Sequence, residues 1–468
     1  MGLRSRSRIV LVPFPAQGHV SPMLHLARLL HARGFAATLA TPDFIHRRLV
    51  ARADGSCRLV SMPSGLDHVD GEAMPDFAAI ERAMEDHMPA QLERLLLAEA
   101  AEVACVVVDL VASWAIPVAK RCGVRVAGFW PAMLATFRII AAIPELIHRG
   151  LISENGSPLN DQAHSDQQEK AAVAVAVEVA EESLTLALAG QAKLSTKELP
   201  WLVGNPATQR SRFMFWLRVL ERAKSVQHLL VNSFPGESGQ QHERRSSHSR
   251  PQPLPIGPLA HRTSNLSMWE EDRSCLQWLE QHPPGSVVYV SFGSWVAPLS
   301  PERIAEVALG LAAAGRPFLW AIREDDAWRS GLPGWFPGSL PGKIVAWAPQ
   351  EEVLRTPAVG CYLTHCGWNS TLEAIQNEKR LLCYPVSGDQ FVNAAFIVKV
   401  WGIGAMLDGS GRSAVEDGIK RVMATEDGAE MQERVVQLRR RVMGEGGRSS
   451  TAMENLQCFF DGMNGDQR

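Results

Sequence analysis

Apolar runs of strand length alternate with amphipathic runs of helical length along this chain. Ile9–Phe14 is an apolar run typical of a buried strand, Pro15–Val20 is a loop, and Phe35–Ala40 is the next strand-like run. Between them, apolar residues recur at helical spacing, with Ser21 as a candidate N-cap and Pro22 at the first helical position. The order strand, helix, strand predicts an α/β fold with a parallel sheet.

The same order of elements begins again in the second half of the chain. Strand-like runs cover Ser286–Gly293, Pro317–Ile322, Val359–Thr364 and Arg380–Tyr384, and Pro301–Ala314 has the spacing of a helix. A chain of 468 residues is too long for one hydrophobic core, because domains usually span about 100–200 residues. Two successive α/β domains are therefore predicted.

An irregular stretch rich in Gly, Ser, Pro and charged residues, Phe234–Asn265, separates the two units. The predicted division is a first domain over 1–245, a linker over 246–265, a second domain over 266–445, and a last helix within 446–468 that packs back on the first domain.

Composition and charge argue against several classes of protein. A net charge of −3 gives no broad basic field for nucleic acid, and the basic run His242–Arg250 is interpreted as a solvated loop. The eight cysteines form no C-x-x-C pair, which favours reduced core cysteines over a zinc site. No membrane span or signal peptide is predicted, so we expect a protein of the cytosol.

The clearest chemistry lies where a predicted strand passes into a predicted helix. Val359–Thr364 leads through His365 and Gly367 into a helix that begins near Asn369. A helix amino terminus presents free N–H groups and a positive dipole end, and phosphate is the commonest anion bound there. His365, Asn369 and Ser370 add donors, so the turn is a candidate phosphate site.

Residues on either side of this turn can hold the rest of a nucleotide sugar. Glu373 lies one helical turn further on and can accept hydrogen bonds from ribose hydroxyls, and Trp347 suits stacking on a base. Asp389 and Gln390 follow the strand Arg380–Tyr384 and can bond sugar hydroxyls. Ligands of open parallel sheets bind outside the carboxyl ends of the strands, which predicts a nucleotide-sugar site here.

The segment from Trp347 to Gln390 closely resembles the signature box of the plant secondary-product glycosyltransferases, which are UDP-dependent family 1 enzymes of GT-B fold. It carries W-A-P-Q, H-C-G-W-N-S-T-L-E and D-Q at the family's spacing. The turn Ser291–Ser294 resembles the family's glycine turn beside the diphosphate. The resemblance implies that Trp347 stacks on uracil beside the Ala348 backbone, that Gln350 and Glu373 hold ribose, that Ser294, His365, Asn369 and Ser370 hold the diphosphate, and that Trp368, Asp389 and Gln390 shape and clamp the sugar pocket.

The loop Pro13–Pro22, PFPAQGHVSP, resembles the family's amino-terminal loop, whose histidine is the catalytic base. His19 is the matching residue, and a neutral imidazole can take the proton of an attacking hydroxyl. Asp109, at the end of a predicted strand, matches the family's partner aspartate. An acidic partner holds the tautomer of the ring and stabilises the imidazolium, as in the serine-protease triad.

The resemblance also implies the fold and the reaction. Two Rossmann-like domains with parallel sheets would face each other across a cleft, the first binding the acceptor and the second binding UDP-glucose. One displacement would invert the donor and give the β-glucoside of a small lipophilic acceptor, such as a flavonoid or a phenylpropanoid. The dipoles and side chains of the site would carry the leaving charge, so we expect no metal and no cofactor, and we expect a monomer.

Three alternatives remain open at this point. A nucleotide-dependent dehydrogenase would need G-x-G-x-x-G after the first strand, where the chain has PAQGHVSP instead. A non-catalytic binder of sugar nucleotides would keep the box without the base. The same fold could also use UDP-galactose, UDP-xylose or UDP-glucuronate, although a final glutamine, here Gln390, tends to accompany glucose in the family.

The chain departs from the family at four places. Glu378–Arg380 stands where the family often has Gly-x-Pro, and Val386–Gly388 stands where an aromatic and a small residue are common. Asp161–Gln191 and Pro235–Arg250 are also unlike the family. The first of these longer segments falls in the region expected to shape the acceptor pocket.

Overall fold

A computed structural model describes residues 7–50, 55–66, 76–159, 198–238, 252–259, 267–294, 299–324, 326–409, 411–444 and 447–464. The segments Asp161–Gln191 and His242–Arg250 lie outside these residues, as does most of Pro235–Arg250.

The first sheet has seven strands within the described ranges, in the order β3-β2-β1-β4-β5-β6-β7. Each neighbouring pair is parallel. The strands are β1 Arg8–Val12, β2 Ala36–Pro42, β3 Arg58–Met62, β4 Val103–Asp109, β5 Val126–Trp130, β6 His228–Val231 and β7 Gln252–Pro255. The strand order matches the doubly wound arrangement expected of a Rossmann-like domain.

The second sheet has six described strands in the order β10-β9-β8-β11-β12-β13, again parallel throughout. The strands are β8 Val287–Ser291, β9 Phe318–Ala321, β10 Gly342–Val345, β11 Val359–Thr364, β12 Arg380–Cys383 and β13 Gly404–Met406. The prediction of two parallel α/β domains is confirmed.

Helices connect the strands of both sheets. Those before the second sheet are α1 Gln17–Ala32, α2 Asp43–Val50, α3 Phe77–His87, α4 Pro89–Ala98, α5 Ala115–Arg121, α6 Leu134–Ala141, α7 Ile143–His148, α8 Pro206–Ala223 and α9 Ser274–Leu279. The later ones are α10 Pro301–Ala314, α11 Asp326–Arg329, α12 Gln350–Arg355, α13 Trp368–Gln376, α14 Gln390–Ala395, α15 Arg412–Ala424, α16 Glu426–Met443 and α17 Ser450–Asn464.

Helix α10 forms as its sequence predicts. Ser300 accepts a hydrogen bond from the backbone N–H of Arg303, and Gly315 ends the helix in the left-handed conformation with φ of 60°. The apolar positions Ile304, Val307 and Leu311 are buried, so the helical spacing of the sequence becomes the face that packs on the sheet.

The predicted start of the first helix is wrong. Helix α1 begins at Gln17, so Pro22 lies inside it and Ser21 is not the N-cap. The Ser21 hydroxyl instead accepts a hydrogen bond of 2.9 Å from the Gln17 side chain. The loop after β1 is thereby shortened, and His19 is fixed in the first turn of a helix.

The predicted linker over 246–265 also needs correction, because Gln252–Pro255 is strand β7 and pairs with β6 in the first sheet. Helix α17 lies against this edge, where the Asn455 side chain donates to the Pro255 carbonyl at 2.9 Å. Phe460 of α17 stacks on Phe35 at 5.8 Å between ring centroids. The end of the chain therefore packs on the first sheet.

The core follows the apolar pattern of the sequence. Five large aromatic side chains of the first domain are all buried: Trp114, Phe129, Trp130, Phe137 and Trp201. Among the described residues, no helix is long and apolar enough to cross a membrane. In the same part of the chain, no group of three or more His, Cys, Asp or Glu side chains has the arrangement of a metal site.

Candidate functional site

Each sheet reverses its strand order at one point, and one candidate half-site lies at the reversal point of each sheet. In the first sheet, β1 and β4 are neighbours; His19 follows the carboxyl end of β1, and Asp109 is the last residue of β4. In the second sheet, β8 and β11 are neighbours, and the Ser291–Ser294 turn and His365 follow theirs. Open parallel sheets bind ligands at such reversal points, because the loops diverge and leave a crevice.

His19 and Asp109 form a direct contact, with His19 Nδ1 2.7 Å from Asp109 Oδ2. The aspartate is fully buried, whereas 25% of the His19 side chain is exposed, so the imidazole faces the cleft from a rigid support. Asp109 also accepts backbone N–H groups, from Phe14 at 3.2 Å and from Val111 at 2.9 Å. A carboxylate surrounded by donors assigns the proton to Nδ1 and leaves the lone pair on His19 Nε2.

Pro22 explains how the His19 turn is joined to the second domain. In a regular helix, the N–H of residue 22 would bond the Gly18 carbonyl, but proline has no N–H. The Gly18 carbonyl instead accepts a hydrogen bond of 2.9 Å from the Asn369 side chain in α13. The residue next to His19 is therefore tied to a residue that the sequence predicts at the diphosphate.

The turn between β11 and α13 is tightly folded around His365. Cys366 has a left-handed backbone with φ of 65°, which is unusual for a residue with a side chain. A Cβ at Gly293 or Gly367 would come within 2.5 Å of His365 Nε2, so both positions require glycine. Burial lowers the pKa of His365 to about 4, which makes its ring a neutral donor or acceptor.

Gln350 is the centre of a buried polar network below this turn. Its amide nitrogen donates to Ser370 Oγ at 2.9 Å and to Glu373 Oε2 at 2.7 Å. Its oxygen accepts from the hydroxyls of Tyr289 at 3.2 Å and Tyr362 at 2.8 Å. All the hydrogen-bonding capacity of the amide is thus used inside the protein, and one oxygen of Glu373 is held in place.

Burial raises the pKa of Glu373 to about 7, with the Gln350 hydrogen bond acting in the opposite direction. The residue keeps partial exposure on the same side as Ser370 and Asn369. A fixed carboxyl with one oxygen already bonded is suited to accept hydroxyl groups with the other.

The Trp347 indole lies between strand β10 and helix α12 and is partly exposed. Its ring lies 5.6 Å from that of Trp269, at an angle of 36°. The guanidinium groups of Arg48 and Arg323 lie over the Trp269 ring at 4.5 and 5.6 Å, so a cation from each domain contacts this aromatic pair. Ala348 is buried beside it, with only its backbone suited to contact a ligand.

Asp389 and Gln390 begin helix α14 at the end of β12. Burial raises the pKa of Asp389, opposed first by a hydrogen bond of 3.0 Å from Asn393 and then by the charge of His19. Asp389, the sugar-binding candidate of the second domain, therefore lies within electrostatic range of the base candidate of the first. Gln390 accepts the N–H groups of Val386 at 2.8 Å and Ser387 at 2.9 Å, which leaves its amide nitrogen for a ligand.

The Trp368 side chain packs between the domains. Its indole N–H donates to the Asn232 carbonyl at 2.6 Å, and its ring stacks on Phe234 at 6.3 Å between centroids. Trp401 completes the contact and donates to the Glu237 carbonyl at 2.8 Å. The indole is thus used between the domains, which leaves the Trp368 backbone for a ligand.

The unusual turn Glu378–Arg380 is a well-bonded structure. Glu378 takes the left-handed φ of 57°, and Lys379 donates to the carbonyls of Thr356 and Val359, both at 3.0 Å. Arg380 reaches the Val422 carbonyl at 2.8 Å. The departure from the family pattern is thus compensated locally and leaves the neighbouring strands in register.

Two asparagines of the site lie outside the motifs that the sequence indicates. Asn232 contacts Asn369 at 3.4 Å from the end of β6, and buried Asn393 joins the Cys366 carbonyl at 2.9 Å to Asp389. Both are polar residues beside apolar runs, and that signal could have identified them. Ser294 lies in the turn after β8, as predicted, and Val386–Gly388 forms the loop that Gln390 caps.

Comparison with known proteins identifies the family. A protein-family model described as UDP-glucoronosyl and UDP-glucosyl transferase matches residues 250–438, and one described as glycosyltransferase, N-terminal domain, matches residues 6–61. UDP-glycosyltransferase 82A1 of Arabidopsis thaliana is 47% identical over 97% of this chain and 98% of its own length. The chain belongs to the plant UDP-glycosyltransferases.

Two further comparisons support this glycosyltransferase assignment. Flavonol 3-O-glucosyltransferase UGT76E12 of Arabidopsis thaliana is 31% identical over 97% of each chain. The crystal structure of Os79 from O. sativa in complex with UDP matches with a TM-score of 0.79 and 27% identity, over 96% of this chain and 99% of that one. The predictions of the family, the GT-B fold and an enzyme that uses a UDP-sugar are confirmed.

Proposed function

We propose that this glycosyltransferase moves glucose from UDP-glucose to a hydroxyl of a small lipophilic acceptor, with inversion of the anomeric carbon. The observation that carries the proposal is the His19–Asp109 contact of 2.7 Å in the first domain, beside Asn369 and Asp389 of the second. A base and a nucleotide-sugar pocket that meet across one cleft can perform a direct displacement.

The proposed step is a single displacement at C1 of glucose. The acceptor oxygen forms a bond to C1 while the bond from C1 to the β-phosphate oxygen breaks, and UDP leaves with that electron pair. His19 Nε2 takes the proton of the hydroxyl, and Asp109 stabilises the imidazolium that forms. Attack on the face opposite the leaving group converts an α-linked donor into a β-glucoside.

The donor roles follow the second-domain geometry. We assign Trp347 and the Ala348 backbone to uracil, and Glu373 to ribose, with Gln350 holding Glu373 in place. Ser294, His365, Asn369 and Ser370, with the amino terminus of α13, would bind the diphosphate. The backbone of Trp368 would border the sugar, and Asp389 and the amide nitrogen of Gln390 would bond its hydroxyls. No role here requires a metal, and both half-sites come from one chain, which supports a monomer.

An aromatic acceptor fits the surroundings of His19. The centroid of the His19 ring lies 5.2 Å from that of Phe14, and the centroid of the Phe14 ring lies 5.6 Å from that of Phe77. Phe215 packs edge-on against Phe77 at 5.1 Å. Apolar rings around one polar group are typical of a site for a lipophilic phenol, such as a flavonoid or a phenylpropanoid.

The test is a mass-spectrometric screen of UDP-glucose against a panel of plant phenols, followed by NMR of each product. A mass gain of one hexose with a β-anomeric signal is the expected result. UDP-galactose, UDP-xylose and UDP-glucuronate serve as competing donors. An α-linked product would refute the direct displacement, and a preference for another donor would refute the assignment of glucose.

A further inference from the structure

Helices α3 and α8 are joined by matched ion pairs beside the proposed acceptor site. Arg222 forms a two-pronged pair with Glu85, with N–O distances of 2.6 and 2.9 Å. One turn earlier on both helices, Arg218 pairs with Glu81. The next position back on α3 in this register is Phe77, which has no carboxylate to offer.

Arg212 lies two residues before Met214, the position of α8 that matches Phe77, and its guanidinium carbon lies 5.0 Å from the centroid of the Phe77 ring. Its Nε atom is buried and has no hydrogen-bond partner. Among the described residues, no carboxylate forms an ion pair with Arg212. Partial burial lowers the pKa of Arg212, because it disfavours the charged form of the guanidinium.

The same Phe77 ring belongs to the aromatic wall beside the base. Phe77 contacts Phe14 at 5.6 Å, and Phe14 contacts His19 at 5.2 Å. A guanidinium with no ion-pair partner in the described part of the chain therefore lies at one end of an apolar surface whose other end carries the imidazole. A ligand that matches both ends would have an aromatic body, a hydroxyl at one end and an anion at the other.

We propose that Arg212 binds the carboxylate of the acceptor, so that the acceptor class is a hydroxylated aromatic acid. A guanidinium presents donors in a planar fork that fits a carboxylate. Because Phe14 and Phe77 separate Arg212 from His19, the carboxylate is the anchor and the distant hydroxyl is the nucleophile. The product is then an O-glucoside with a free carboxylate. This inference rests on the proposed function and adds the class of acceptor to it.

A purely structural role for Arg212 makes a different prediction. If the guanidinium only packs on Phe77, removing it would weaken all acceptors equally or lower the stability of the fold. If it binds a carboxylate, only acids would be affected. The two roles are separated by comparing an acid with its neutral ester in the same variant.

The experiment uses 4-hydroxycinnamic acid and its methyl ester as acceptors with the full chain and UDP-glucose. Arg212→Gln removes the charge, Arg212→Lys keeps the charge without the fork, and Arg210→Gln is the matched control at an exposed arginine of the same helix. The wild type should prefer the acid by about 10- to 100-fold in kcat/KM, the usual worth of a hydrogen bond to a charged group.

Arg212→Gln should remove that preference by raising KM for the acid alone, Arg212→Lys should restore part of it, and Arg210→Gln should leave it unchanged. Equal loss for acid and ester, or no preference in the wild type, would overturn the proposal. Calorimetric binding of both compounds in the presence of UDP repeats the comparison without turnover. Acid-selective binding with no transfer would support Arg212 while refuting the proposed function.

Discussion

Asp109→Asn tests the arrangement of the base most closely, because it keeps the shape of the side chain and changes only its charge and donors. The aspartate now accepts three hydrogen bonds, from the N–H groups of Phe14 and Val111 and from His19 Nδ1. Asparagine has one oxygen and one NH₂ group for the same three partners. One orientation directs NH₂ at the Val111 N–H, and the other directs it at Phe14 and His19.

Either orientation damages the site by a calculable amount. With NH₂ towards Val111, one buried donor is left without an acceptor, which costs about 1–3 kcal/mol of stability. With NH₂ towards His19, the ring must accept at Nδ1 and carry its proton on Nε2, so it cannot act as the base. Both orientations remove the negative charge that stabilises the imidazolium. We expect kcat to fall by about 10²–10⁴, the usual contribution of a general base.

The assay is steady-state transfer to one phenol, with UDP affinity measured by calorimetry. Asp43→Asn is the control, because Asp43 also follows a strand of the first sheet but bonds Ser64, at 2.7 Å to its hydroxyl. We expect Asp109→Asn to lose turnover while UDP binds as in the wild type, and Asp43→Asn to keep turnover. An Asp109→Asn variant that folds normally and turns over at the wild-type rate would refute the tautomer reasoning.

Two more predictions concern stability. Pro22→Ala supplies the missing helical N–H, which competes with the Asn369 side chain for the Gly18 carbonyl. We expect a higher Tm, because up to about 3 kcal/mol of helix stability is regained, and a higher KM for UDP-glucose. A lower Tm would contradict this. Burial raises the pKa of Glu373 from its ordinary 4.5 to about 7, so the folded state holds the proton more tightly and loses stability as pH rises between these values. Glu373→Gln should remove this loss of unfolding free energy, which is on the order of 3 kcal/mol. The difference in urea midpoint between pH 4.5 and pH 8 should therefore be smaller in the variant than in the wild type. An unchanged difference would contradict burial of the Glu373 carboxyl as the cause.

Local sequence patterns predicted the central strands of both sheets and four of the described helices, α1, α10, α13 and α17. Ser300 and Gly315 bound α10 because N-cap and left-handed stop signals act within a few residues. Pro22 gave the wrong start for α1, because proline also occurs inside helices when the carbonyl four residues before it, here that of Gly18, accepts a hydrogen bond from another partner. That partner, Asn369, is supplied by the other domain and cannot be identified from neighbouring sequence.

The candidate site shows the same division between local and distant information. The spacing of the box predicted the residues of the second-domain turn, since they share one strand and one helix. It did not predict that Gln350 uses its whole amide on Tyr289, Tyr362, Ser370 and Glu373, because those contacts depend on how β8 and β11 pair. Arg212 and Phe77 meet only through the packing of α3 on α8, so no motif indicated them.

Loss of transfer in His19→Ala, with UDP binding measured on the same sample, tests most directly whether the imidazole is the base. We predict that transfer falls by at least about 100-fold, the usual contribution of a general base, while the affinity for UDP stays within about twofold. Transfer at the wild-type rate by a correctly folded His19→Ala protein would contradict the mechanism at its centre.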